Sequence, residues 1–522
     1  MANKKYPSFF NEVMAPVMLA GSSSHLAAPQ RIGLLTNMLA NGDVKKVEVI
    51  MDKDGSFAGT FGLMSEDEGM CAGGIGLAVD SPLRNKCFDI AKERGIEVVF
   101  TKGEMKESSH INAMKFIITT SEGKQVSVVG DSIGGGVIET QKVNNFDFVY
   151  RADTCVTMVV SSIEFEELVE VVEKKIQGLY QTSVSRNVDK VAYFFRSTEL
   201  PNRDELAALL PDCEVFVLDL VMDSPFNPKV KPQLFSTSKE FIELSKDKPM
   251  HEVAIEYQMA ATGMSREAII NRIDYLRTLM VNQVESQENW DGSEYKHVYD
   301  YDIQSYKRVN DQLAKGGLGD SPQALALKYY YGVFSMTPQV PNVAFPHGAG
   351  GGVVMATLRA AQVFHNHSDE EVNNALLVAA SYGIMAYTHT DPSGETIGCA
   401  GEHGLSGAFG SAALTYLRGG TPKQVDSAAS LALQLSVGWP CDPMMGDATG
   451  GPCTPRGIAA ATMPFMYSEL SLAGQTTILP FDEVVEAAER VASNYGEELL
   501  CTGRGGCAAC PSACDVKRDL GL

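Results

Sequence analysis

Pro225, Pro228 and Pro232 fall within eight residues of one another, and no other feature divides the chain so firmly. Each lacks an N–H donor and fixes its own φ, so no regular element runs through the stretch and a linker over 225–240 is expected. The residue pattern differs on its two sides. Before it, short β-rich runs alternate with helix-like stretches: Lys46–Met51, Ile96–Phe100, Lys115–Thr119 and Val126–Val129. After about residue 240 the chain turns to Ala, Leu, Met and Gly with helical periodicity. Explicit start signals accompany it, since Ser368 with Glu371 and Thr421-Pro422 with Gln424 read as capping boxes. The expected fold is therefore α+β multidomain: an N-terminal α+β domain over 1–150, a small βαβ-type module over 151–224, and a mainly helical domain over 241–522. In the first domain a helix is expected from Pro82, capped by Ser81, to about Gly95. In the module, strands are expected at Thr154–Ser161 and Val215–Val221, with a helix over Glu164–Lys175.

The 522 residues provide ample material for two to four cores at roughly 100 to 200 residues per domain. No apolar run approaches the roughly 18 positions of a spanning helix, so no membrane is expected as a partner. Lys and Arg total 43 against 65 Asp and Glu, a net charge of −22. A polyanion is repelled by such a surface, and nucleic acid is not expected either. Nothing at the N-terminus reads as a secretory signal, which points to the cytoplasm. The 11 cysteines are too sparse for a disulfide scaffold, so their placement carries more than their number.

Cys399, Cys441 and Cys453 each stand beside glycine or proline, in Gly398-Cys399-Ala400-Gly401-Glu402, Pro440-Cys441-Asp442-Pro443 and Gly451-Pro452-Cys453-Thr454-Pro455-Arg456. Irregular backbone approaches a cofactor closely, and three convergent thiolates suit an iron–sulfur cluster with one iron left open. Three separately buried thiols explain the spacing equally well. Farther on, Cys501, Cys507, Cys510 and Cys514 form a C-x5-C-x2-C-x3-C array that favours metal ligation over an exposed tail. Ser22-Ser23-Ser24-His25 opens a helix-like stretch. On residue type alone a capped helix start is its commoner explanation. His110 and His347 lie in turn-forming contexts and titrate near neutrality, which makes them candidates for proton handling. His365 and His367 read as surface, while His403, next to Glu402, fits either role.

Together these segments resemble the iron–sulfur-dependent L-serine dehydratase family. Cys399 and Glu402, Cys441-Asp442-Pro443, and Pro452-Cys453 with Arg456 follow the pattern of the family's α region, and Val343–Gly350 falls where it has an Ala-Pro-Thr-Asn-Gly-Ala segment. Gly21–His25 followed by Arg31-Ile32-Gly33 matches its Ser-Ser-Ser-His signature. His110-Ile111-Asn112 looks like its His-Pro-Asn segment, and Gly134-Gly135-Gly136 like the glycines closing the β region. The resemblance covers residues 8–140 and 320–500, with the motifs in the family's order.

It implies a β-like domain, an ACT-like regulatory module in the middle, and an α-like domain carrying a [4Fe-4S] cluster. Cys399, Cys441 and Cys453 would be its ligands, with Cys514 or a neighbour as a removable fourth; a second cluster or a zinc in the tail is the other possibility. The implied catalytic residues are His25, His110 and His347. The implied substrate-binding residues are Ser22, Ser23, Ser24, Asn112, Gly348, Glu402 and Arg456. The implied reaction converts a small β-hydroxy L-amino acid, serine by default, to a 2-oxo acid and ammonia, in an enzyme expected to be a homo-oligomer. Removing a Cα proton and a hydroxide needs a base on one side and a Lewis acid on the other.

A cysteine desulfidase releasing sulfide and a non-catalytic iron–sulfur redox or sensing protein are the alternatives; no lysine sits in a glycine-rich cradle suited to pyridoxal phosphate. The sequence also departs from the family. Pro346-His347-Gly348 is one residue shorter than its counterpart, Gly457 follows Arg456 where asparagine is expected, and Glu68–Gly74 stands where a Gly-His-Gly-Thr-Asp stretch is expected. The reaction class is thus better specified than the substrate.

Overall fold

In the computed structural model, residues 6–19, 22–62, 64–164, 166–229, 232–289, 305–336, 340–444 and 452–519 are described. They form two compact units, one comprising Ser24–Lys229 and the other Met1–Ser23 with Val230–Leu522. Among the described residues no helix is long and apolar enough to cross a membrane.

The first unit contains two sheets. The larger has six strands in the order Glu97–Gly103, Lys46–Asp52, Ala113–Thr119, Gln125–Ser132, Ile138–Val143 and Phe146–Tyr150. Only the first pair is parallel. Val47, Val49 and Met51 alternate inward along the second of these strands, the period of two that a sheet requires. Helices Ala28–Leu39 and Glu66–Gly74 pack with their backbones in near contact, which explains the glycines of the second. A Cβ on Gly73 would lie 2.2 Å from the Gln30 carbonyl oxygen, and one on Gly69 2.4 Å from that of Leu26.

The helix expected from Pro82 begins instead at Cys87 and runs to Glu93, after a 3₁₀ turn at Arg84–Lys86. The Ser81 hydroxyl accepts from the Leu83 N–H and closes a turn there. The helix ends as expected just before Gly95, whose φ is +66°.

The smaller sheet realises the βαβ-type expectation in split form, with one strand inserted between the two that helix Glu166–Glu173 joins. Its four strands are all antiparallel, in the order Glu214–Leu218, Cys155–Ser161, Val191–Ser197, Leu179–Arg186. Helices Glu166–Glu173 and Arg203–Leu209 complete a β-α-β-β-α-β arrangement. Strand Cys155–Ser161 is buried on both faces. Val159, Tyr193 and Phe195 meet Leu168, Val172 and Leu206 from the helices. Met158 and Phe194 join Phe148 and Tyr150 of the larger sheet, with the Phe148 and Phe194 rings stacked at 3.9 Å. The boundary expected at residue 150 therefore falls between two sheets that share one core.

In the second unit, Asp369–His389 and His403–Leu417 are core helices walled by Gly350–His365, Pro422–Ser436 and their neighbours. Both expected capping boxes are present, at Ser368/Glu371 and Thr421/Gln424. The segment up to Ser23, expected in the first domain, belongs to this unit. Phe9, Phe10, Val13 and Met14 are buried in its core, and Val17–Met18 pairs antiparallel with Asn342–Val343.

Candidate active site

The backbone of the second unit draws four thiols together. Helix Gly394–Ile397 ends at Gly398, where φ is +67° and a Cβ would lie 2.4 Å from the Trp439 carbonyl oxygen. Glycine is therefore required, and the chain turns so that the Cys399 N–H donates to Trp439 O at 3.0 Å. This ties the Cys399 turn to the segment leading into Cys441. The Cys441 N–H in turn donates to Leu499 O at 2.9 Å and its carbonyl accepts from the Cys501 N–H at 2.8 Å.

The Cys441 and Cys501 thiols are consequently brought close enough to influence each other's ionisation. Gly394 leaves them room, since a Cβ there would stand 3.2 Å from Cys441 Sγ. Cys453 opens helix Cys453–Thr462; Gly450 and Gly451 before it lie outside the described residues. All four thiols are buried. The Cys441 thiol is pushed well up, first by its contact with Cys501 and then by burial. That of Cys453 is pushed up by burial and by the nearby charge positions of Cys399, Glu402 and Cys441.

Polar groups brace these turns. Arg456, one turn after Cys453, donates to Pro440 O at 2.7 Å and to Asp442 Oδ1 at 2.8 Å, and its guanidinium lies within electrostatic reach of the Cys399 thiol. The other oxygen of Asp442 accepts from the Cys507 N–H at 2.7 Å. His403 Nδ1 lies 3.2 Å from Cys399 Sγ. Cys399, Glu402 and His403 offer ligand atoms within 4.8 Å of one another, the only such trio of metal-binding side chains among the described residues.

His347 is buried, and burial holds its imidazole below the ordinary histidine range. Its Nε2–H donates to the Pro392 carbonyl, which places the neutral ring's acceptor on Nδ1. Gly348, with φ +47°, lies against Glu402: a Cβ there would be 2.6 Å from Oε1. Burial pushes the Glu402 carboxyl up, against the opposing influence of His347. The Gly348 N–H donates to Ser23 Oγ at 3.3 Å. Buried Glu395 adds negative charge toward Cys441, Cys501, Glu402 and His347.

In the first unit the expected residues form a second group. Ser24 Oγ is 3.0 Å from His25 Nδ1, and His25 Nε2 is 2.9 Å from Ser56 Oγ. The Ser132 hydroxyl donates to Ser24 O at 2.9 Å, and the Ser132 N–H to Asn112 O at 3.1 Å. His110 Nδ1 accepts from the Asn112 N–H at 3.1 Å. Asn112 is buried, and its side-chain oxygen has no hydrogen-bond partner among the described residues. That is the unmet demand a ligand donor would fill. Ser22 is half-buried, and Gly21 lies outside the described residues.

The C-terminal cysteines differ in placement. Cys501 is buried beside Cys441, Cys507 is half-buried beside Asp442, and Cys510 and Cys514 are exposed. The Cys514 thiol lies 4.0 Å from Ala508 O, so the C-terminal thiol that joins the buried group is Cys501. His365 is exposed and His367 pairs with Glu371 at 3.4 Å, in keeping with a surface place.

Glu395, Ser56 and Ser132 join these groups without a motif to mark them. Glu395 carried one signal, an acid in the first turn of a helix opening after Ser393; the two serines carried none.

Comparison with known proteins gives these groups a context. The family model described as "Serine dehydratase alpha chain" matches residues 245–508. The chain is 27% identical over 296 residues to the "Probable L-serine dehydratase, alpha chain" of Bacillus subtilis (strain 168), covering 55% of this chain and 95% of that one. It is 27% identical over 291 residues to the "L-serine dehydratase, alpha chain" of Peptoniphilus asaccharolyticus, covering 55% and 98%. The beta chain of the same organism's enzyme matches at 27% over 179 residues, 34% of this chain and 79% of that one.

Proposed function

The chain belongs to the L-serine dehydratase family, with beta-like and alpha-like regions fused in one ammonia-lyase polypeptide, and from this premise we propose that it deaminates L-serine to a 2-oxo acid at an iron–sulfur centre. The observation that carries the reading is the convergence of Cys399, Cys441 and Cys453, joined by Cys501, on buried turns beside Glu402 and His347.

This donor set fits the cofactor. Soft thiols such as those of Cys441 and Cys453, whose ionisation is opposed by burial and by neighbouring thiols, gain most from a bound cation. Cys399, Cys441 and Cys453 would hold a [4Fe-4S] cluster, which supplies a Lewis acid for the departing hydroxyl when bound.

The remaining work falls to the chain's own side chains. His347, kept neutral by burial and with its Nε2 proton committed to Pro392, accepts the Cα proton at Nδ1. Glu402 and Glu395 offset the imidazolium that forms. Arg456 holds the Cys399 and Cys441 turns in register through Pro440 and Asp442. Within the first unit, Asn112 Oδ1, Ser24 and His25 are polar groups of the kind an amino acid's amine and carboxylate require, and His110 holds the Asn112 backbone N–H. Once the enamine product leaves, water completes its hydrolysis to the 2-oxo acid and ammonia. The middle module, by its β-α-β-β-α-β order, acts as an ACT-like effector domain.

The test is anaerobic purification, iron and sulfide determination, and parallel assays with L-serine and L-cysteine. Pyruvate and ammonia from serine support the reading. Sulfide released preferentially from cysteine would make the protein a desulfidase. The Cys501 thiol beside Cys441 favours one further reading, a closed cluster with four thiolates and no catalysis; an iron chromophore whose spectrum ignores both amino acids would establish it.

A further inference from the structure

We propose that Tyr330 is a positioning residue for Cys453, and that residue 457 is glycine in order to admit it. The inference rests on the reading that Cys453 holds the iron centre.

Helix Cys453–Thr462 begins at the thiol itself. Its N-cap is Pro452, which offers no side-chain hydrogen bond to the first turn. A first turn without a capping side chain at its N-cap is prone to fray, and a fraying turn would leave Sγ of Cys453 poorly placed. Tyr330, on helix Pro322–Met336, is buried, and its hydroxyl donates to the carbonyl of Thr454, the residue after the cysteine, at 3.1 Å. A second helix thus tethers the turn that its own cap leaves loose. The phenol also lies within electrostatic reach of Cys453, Glu402 and Cys399.

Gly457 supplies the second half of the argument. It sits inside the helix with no left-handed φ to explain it, although an interior glycine costs about 1 kcal/mol relative to alanine. Packing explains it: a Cβ there would lie 2.2 Å from the Tyr330 hydroxyl oxygen, 2.5 Å from Cε2 and 2.6 Å from Cζ. The aromatic ring, rigid and buried, could not yield without dragging its hydroxyl off Thr454. Phenylalanine would fill the same volume, so the hydroxyl is the part that requires a reason. A buried hydroxyl is costly unless it is bonded, and its bond goes to the thiol-bearing turn.

Two readouts on the full-length protein test the proposal. In metal-free protein, the rate at which N-ethylmaleimide alkylates Cys453, mapped by mass spectrometry, should rise about fivefold in Tyr330→Phe, the change expected from one neutral hydrogen bond. In reconstituted protein the same variant should lose iron to a chelator faster by a similar factor, with its melting temperature little changed. Alkylation and iron loss both at wild-type rates would overturn the proposal. Gly457→Ala should reproduce the effects of Tyr330→Phe, and in a Tyr330→Ala background it should add little, because the ring it displaces is gone. Additive effects of the two substitutions would overturn the pairing. If the wild-type protein binds no iron, the functional reading fails while the alkylation arm still judges Tyr330.

Discussion

Glu66 is fully buried, two residues before the Glu68–Gly74 stretch where this chain departs from its family's motif. Thr60 Oγ1 lies 3.0 Å from Ser56 O and 2.7 Å from Glu66 Oε1, yet a hydroxyl has one proton to give. Both contacts are satisfied if Thr60 donates to Ser56 and a protonated Glu66 donates to Thr60. Burial acts in the same sense, raising the Glu66 carboxyl from 4.5 to about 7. The native state therefore holds this proton more tightly than the unfolded chain does. Its contribution is complete below about pH 4.5 and is lost as pH rises to about 7, a fall of about 3 kcal/mol. Glu66→Gln should flatten that part of the stability curve in urea unfolding and make the variant the more stable protein at pH 8. Equal pH slopes in the two proteins would refute the assignment. At His347 the expected effect is on turnover alone. His347→Ala should lower kcat by about 10²-fold or more with iron content intact, and near-normal turnover would move proton transfer elsewhere.

Among the elements, the turns that carry the thiols matter more than the helices around them. Gly398→Ala would place a Cβ 2.4 Å from Trp439 O in a backbone conformation that disfavours side chains. Cys399 would then lose its register with Cys441. We expect this variant to retain helical circular dichroism while losing most of its iron on anaerobic reconstitution, and full iron would show that the turn tolerates the strain. This is also where the sequence was most legible. Glycine and proline beside Cys399, Cys441 and Cys453 announce irregular backbone, and both capping boxes could be read because their signals are local. Cys501 could not be singled out from Cys507, Cys510 and Cys514, because what selects it is a backbone pairing with Cys441 sixty residues away. The same limit hid strands Leu179–Arg186 and Val191–Ser197. Their weak alternation resolves only when they pair with each other and with Cys155–Ser161. Pro82 misled for the opposite reason, since a strong local start signal was spent on a turn.

At the scale of the whole molecule, chain order and cooperative unit disagree. Phe9 precedes every strand of the first unit, yet it is buried in the helical core, its ring 5.9 Å from that of Tyr257 and its N–H bonded to Gln258 Oε1 at 2.8 Å. Replacing it by alanine leaves a cavity there at a cost of about 3 to 5 kcal/mol. If the two units unfold as separate transitions in calorimetry, Phe9→Ala should lower one and spare the other. Iron gives an independent label for the affected transition, because a ligand raises the stability only of the unit that binds it, and all four converging thiols lie in the unit that holds Phe9. The transition that falls in Phe9→Ala should therefore be the one that rises on reconstitution of the wild type. If Phe9→Ala lowered the transition that iron leaves unmoved, the first 23 residues would belong energetically to the sheets that follow them.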